Sequence, residues 1–164
     1  MRPRTRELRE AIRTILLGRE SQIVNGVEVW GLAEGLHQVA TTPFAFPVTG
    51  LPFTRIAISE WHRQESSANI AAGWQYEVLI EVATYAKNTN GEEQPYLHHY
   101  EAFDLMIQQM IEVLLEPVNI CDGTYCFQIS DNVTVNDESG VVTTDEGYEA
   151  PAFYYRIILE AGDC

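Results

Sequence analysis

Between Tyr76 and Tyr85 the chain alternates: Tyr76, Val78, Ile80 and Val82 stand at every second position, with Glu77, Leu79, Glu81 and Ala83 between them. A period of two puts one set on each face of an extended strand, giving one purely apolar face and one mixed face. An apolar face must be covered, which commits the chain to a sheet packed against something else. The alternation recurs in Phe53 to Trp61, where Ile56 and Ile58 oppose Arg55, Ala57 and Ser59. It recurs again through Tyr125, Phe127 and Ile129 up to Ser130, and through Phe153, Tyr155, Ile157 and Leu159 up to Glu160. Four strands are predicted.

Two segments follow the helical period instead. Leu8, Ala11, Ile12, Ile15 and Leu16 share one helix face, predicting an amphipathic helix from about Thr5 to Leu17, with Gly18 as its stop. A second stripe, Phe103, Met106, Ile107, Met110, Ile111 and Leu114, predicts a helix that begins near Pro95 and is closed by Pro117. Residues 21–52 lose all periodicity among Asn25, Gly26, Gly31, Gly35, Pro43, Pro47 and Gly50, yet carry Trp30, Phe44 and Phe46. They read as a long loop or loose hairpin. Loops of that length in a compact domain are usually functional, and aromatics on them suit a partner surface. Residues 131–151 hold Asp131, Asp137, Glu138, Asp145, Glu146 and Glu149 and read as an extended, acidic, hairpin-like excursion. The predicted fold is α+β: one domain over residues 1–164, with a mostly antiparallel four-stranded sheet, two helices packed on one face, and long loops.

Charge narrows the function. The 164 residues carry 10 Lys plus Arg against 24 Asp plus Glu, a net charge of −14, which argues against a protein that coats nucleic acid. The distribution is uneven. Arg2, Arg4, Arg6, Arg9, Arg13 and Arg19 give residues 1–20 a net charge of +3, while the rest of the chain stands at −17. A basic arm on an acidic body can dock on an acidic neighbour, another copy of the chain included; a plain solvated helix face is the alternative. No apolar run is long enough to span a membrane or form a signal peptide, so a protein that is cytosolic when made is expected.

The residues of chemistry are sparse. Three cysteines, Cys121, Cys126 and Cys164, make no disulfide framework; Cys121 and Cys126 either pair or sit in the core, and core placement is the preferred reading. His98 and His99 precede Glu101 and Asp104, but at most two of these share a helix face, so an ordinary polar helix end is expected in place of a metal site. His37 and His62 fall in predicted loops. The acids of 131–149 lack the order of a calcium loop, no glycine-rich loop precedes a helix, and no nucleophile sits in a strained Gly-x-Ser-x-Gly turn. Neither catalytic, cofactor-binding nor metal-binding residues are assigned. An enzyme is not expected.

Element by element the layout resembles the tail-terminator, or tail-completion, proteins of long-tailed bacteriophages. The resemblance rests on the Leu8-x-x-Ala11-Ile12-x-x-Ile15-Leu16 helix and on a Pro/Phe-rich segment leading into Phe53-Thr54-Arg55-Ile56-Ala57-Ile58-Ser59-Glu60. The strand Tyr76-Glu77-Val78-Leu79-Ile80-Glu81-Val82, the helix with Tyr100-Glu101-Ala102-Phe103-Asp104 and the closing strand Phe153-Tyr154-Tyr155-Arg156-Ile157-Ile158-Leu159 complete it. The chain departs from the pattern in the length of its 21–52 segment. What the resemblance implies is a structural virion protein at the tail-neck junction, assembled in the host bacterial cytoplasm. It would form a ring, usually of six subunits, that caps the tail tube, ends its polymerisation and meets the head-tail connector, with DNA passing through without sequence-specific binding. Interface candidates are then Arg2, Arg4, Arg6, Arg9, Arg13, Trp30, Phe44 and Phe46. Other neck or tail components, such as a head-closure or tube protein, share these features. A small cytosolic ligand-binding domain is the third reading.

Overall fold

The computed structural model describes residues 2–17, 22–24, 27–29, 39–40, 53–63, 73–88, 91, 93–144 and 146–164. Helix α1 spans Thr5–Leu17 and helix α2 spans Leu97–Leu115. The strands are β1 (Gln22–Val24), β2 (Val27–Val29), β3 (Val39–Ala40), β4 (Phe53–Arg63), β5 (Trp74–Tyr85), β6 (Ile120–Cys121), β7 (Cys126–Asp137), β8 (Gly140–Thr143) and β9 (Glu149–Asp163). The α+β class holds. The sheet is larger than the four predicted strands: six follow one another in the order β3-β4-β5-β9-β7-β6, and β8 joins the side of β9. All pairings are antiparallel except β3 with β4. Within the predicted 21–52 loop, β1 and β2 form an antiparallel pair, with Val24 opposite Val27.

The alternation of β5 decides the packing. Ile56, Ile80 and Ile157 are register partners across β4, β5 and β9, and all three are fully buried. Val78 beside Leu159 and Val82 beside Tyr155 extend that face. Onto it fold Leu8, Ala11, Ile12 and Leu16 of α1 and Ala102, Phe103, Met106, Ile107, Met110 and Leu114 of α2, all in one apolar cluster. Both helices therefore share one side of the sheet. Phe103 lies at its centre, edge-on to Tyr155 with ring centroids 5.2 Å apart and tilted against Phe153 at 5.7 Å. Tyr155 donates to Asp104 Oδ1 at 3.1 Å and Tyr100 donates to Asp137 Oδ2 at 2.7 Å, tying α2 to β9 and β7.

Two bulges adjust the register. In β7 the pairing jumps from Ile129 opposite Ala161 to Val133 opposite Leu159, so Ser130, Asp131 and Asn132 bow out of the ladder. The strand then resumes, and most of the predicted acidic excursion is the continuation of β7, followed by β8 along the same side of β9. In β4 the extra residue is Ser59: Ile58 faces Val78 and Glu60 faces Glu77.

The cysteine reading is corrected. Cys121 and Cys126 are register partners at the β6–β7 turn and form a disulfide, with Cys121 exposed instead of placed in the core. Asp122 shapes this turn by accepting from the amides of Tyr125 at 2.7 Å and Thr124 at 2.9 Å, which holds its carboxyl below the usual value. His62 is likewise in strand β4 and not in a loop.

Candidate assembly surface

The arginine-rich start is divided by the fold into two groups. Arg2 pairs with Glu7 at 2.6 Å, and this hydrogen bond holds the Glu7 carboxyl below its ordinary value. Arg4 lies over the ring of Tyr125, 3.7 Å from its centroid, a cation–π contact worth about 0.5–1 kcal/mol where solvent reaches it. Both are held inside the chain. Arg6, Arg9 and Arg13 instead follow one another at spacings of three and four residues, which puts them along one flank of α1 beside its buried stripe. Arg6 is exposed, and among the described residues Arg13 reaches only the Glu10 carboxylate of its own helix, at 3.9 Å. Trp30, Phe44 and Phe46 lie outside the described residues.

The start of the chain is anchored at the far end of the sheet. The Arg4 amide donates to the Tyr76 hydroxyl at 3.0 Å, which donates to Asp163 Oδ1 at 2.9 Å, while Asp163 Oδ2 accepts from the Trp74 amide at 3.0 Å. Burial, with Asp163 as acceptor, pushes the Tyr76 hydroxyl up to about 12. Because that value is raised in the folded state, the stabilisation is complete below the ordinary tyrosine value near 10 and is lost as pH rises through about 12. Tyr76→Phe is expected to cost about 1–3 kcal/mol at neutral pH, since it takes the acceptor from a part-buried amide and the donor from a part-buried carboxylate oxygen. It should also flatten, in urea melts, part of the decline in stability between pH 10 and 12. An unchanged melt at both pH values refutes the clasp.

On the sheet face turned away from the helices, the centre and the rim differ. At the centre, Arg55 and Glu81 form an ion pair at 2.7 Å with side chains 10% and 8% exposed, and the Tyr154 hydroxyl donates to Glu81 Oε2. Toward the rim, Glu60, Glu77 and Glu160 stand side by side on β4, β5 and β9. With His62, Gln75 and Tyr76 they line a groove of about 340 Å³. A second cleft, of about 540 Å³, runs along Leu115 to Val118, the β7 bulge and Glu160 to Asp163, with Glu116, Asp131, Glu160 and Asp163 as its acids. Among the described residues no cation lines either.

His99 is buried on the core side. Its Nδ1 accepts from the Lys87 amide at 2.8 Å and its ring meets Phe153 at 5.2 Å, which gives it a packing role at the start of α2. Among the described residues no group of three His, Cys, Asp or Glu side chains converges on a possible metal position. No helix there is long and apolar enough to cross a membrane.

Among the described residues, the strands at the two outer ends of the sheet, β3 and β6, are two residues long and cover only part of the edges of β4 and β7. The edge of β7 beyond Phe127 and the edge of β4 beyond Arg55 have no strand partner among the described residues. Where β9 outruns β5, its hairpin with β8 ends in a tip that exposes Val141 and Tyr148, 66% and 69% accessible. Sequence reasoning located the arginines but missed the glutamate row and these edges. Each glutamate alternates outward in its own segment, while their juxtaposition depends on register and on the Ser59 bulge.

Compared with known proteins, the chain matches no protein family and no curated protein.

Proposed function

We propose that this chain is a structural protein of the tail-terminator kind, which assembles with copies of itself into a ring that caps a phage tail tube and meets the head-side connector. The observation that carries the reading is the pair of sheet edges, β4 on one side and β7 on the other, that are mostly without a strand partner among the described residues. Exposed strand edges are templates for pairing and are normally blocked in a free monomer. An edge on each side of one subunit suits a head-to-tail contact, and such contacts close into rings when the rotation per subunit permits. The exposed Val141 and Tyr148 at the hairpin tip and the separation of a basic helix flank from acidic clefts support the same reading. The excess negative charge suits a passage through which DNA moves without sticking.

The test is the length of tail tubes grown from the tube protein of the same virus, measured in electron micrographs with and without this chain. Capped tubes whose mean length falls as the chain is added are expected. Tubes that incorporate the chain along their length make it a tube protein, and tubes indifferent to it overturn the reading.

A further inference from the structure

Glu60 stands opposite Glu77, and Glu77 stands opposite Glu160, in direct register on three adjacent strands. Strands in a sheet are about 4.8 Å apart, so three carboxylates follow one another across the outer face at that pitch. Like charges placed directly opposite each other destabilise a sheet. Ser59 Oγ donates to Glu77 Oε1 at 2.8 Å, and among the described residues no Lys or Arg pairs with any of the three. The bulge is what builds the row: in regular pairing Ser59, and not Glu60, would face Glu77. Glu60 and Glu160 are exposed and Glu77 is half-buried.

The complement is carried by the same chain. Along α1, at about 1.5 Å per residue, Arg6, Arg9 and Arg13 advance by roughly 4.5 and 6 Å, a mean step close to the strand spacing. Arg6 is exposed and makes no ion pair, and the buried Arg9 Nε has no hydrogen-bond partner, among the described residues. Within one molecule the two sets are kept apart, because α1 packs into the core on one side of the sheet and the row lies on the other. We propose that the Glu60–Glu77–Glu160 row is the docking site for the Arg6–Arg9–Arg13 stripe of a second copy of this chain. The contact joins different patches of the two copies, so it propagates head to tail. It rests on the assembling reading given above and names the surfaces that would make the assembly.

Charge reversal tests it, with the association of the full chain read by sedimentation. E77R/E160R alone and R6E/R13E alone are each expected to weaken association at least about tenfold. The two variants mixed, or all four reversals in one chain, are expected to restore it. Recovery is a readout that damage to folding does not give, and circular dichroism of each variant checks the fold independently. Association that survives E77R/E160R unchanged overturns the row as docking site and leaves the assembling reading standing. Association abolished by a chelator yet indifferent to the arginines assigns the row to a divalent cation and also overturns the proposal. A chain that stays monomeric under every condition removes both.

Discussion

Truncating Glu81 to alanine is expected to lower the stability of the folded chain by about 3–5 kcal/mol. Its carboxylate meets Arg55 at 2.7 Å and accepts the Tyr154 hydroxyl, in a place where both charged side chains are about nine-tenths buried. Taking each ion out of water costs several kcal/mol, which their attraction offsets only while both are present. Removing the carboxylate leaves the guanidinium its desolvation cost and takes away this counter-charge. Replacing both, as in R55M/E81L, should cost far less, because neither charge then has to be buried. The exposed pair Arg156 and Glu138, 3.4 Å apart with side chains 36% and 45% accessible, sets the scale: E138A should cost under about 1 kcal/mol. Urea denaturation of the three variants measures the contrast. A loss below 1 kcal/mol for E81A would show that water reaches the pair.

Phe103→Ala is expected to cost about 3–5 kcal/mol as well, for a different reason. The ring is fully buried and carries no polar atom, so the loss is apolar burial plus the cavity left between Tyr155 and Phe153. Those neighbours cannot readily collapse into the space, since Tyr155 is fixed by its hydrogen bond to Asp104 and by the strand pairing of β9 with β5. Phe103→Leu, which keeps most of the volume, should cost less than half as much. In a thermal melt the alanine variant should unfold on the order of 10 °C below the parent. A shift of only one or two degrees would mean that α2 is not seated on the sheet through this ring.

The elements that were legible in the sequence are those whose own periodicity runs long enough to be read locally. Helix α1 occupies Thr5–Leu17 as its apolar stripe indicates, and β5 and β9 alternate over nearly their whole lengths because both lie inside the sheet with a buried face. The alternation of β7 is legible only as far as Ser130, because Ser130, Asp131 and Asn132 form a bulge that interrupts the period before pairing resumes at Val133. The two-residue strands β3 and β6 are too short to show any period. The Cys121–Cys126 bridge had a local signal, a five-residue spacing around Asp122-Gly123-Thr124, but core placement competed with it until the register showed the two facing each other. At the surface the same limit applies. The arginine stripe is a helix pattern and can be read from spacing, whereas the glutamate row joins residues up to 100 positions apart through strand pairing.

The mass of the purified chain in solution, measured by light scattering at low and high salt and with and without tail-tube protein, bears most directly on whether this is a ring-forming subunit. A discrete particle of about six times 18.5 kDa is expected, formed alone or on contact with tube, and weakened by salt because arginine and glutamate contacts between subunits are screened. Polymers of unbounded mass would make it a tube protein instead. A species that stays at 18.5 kDa at either salt concentration, with tube present or absent, would overturn the assembling reading.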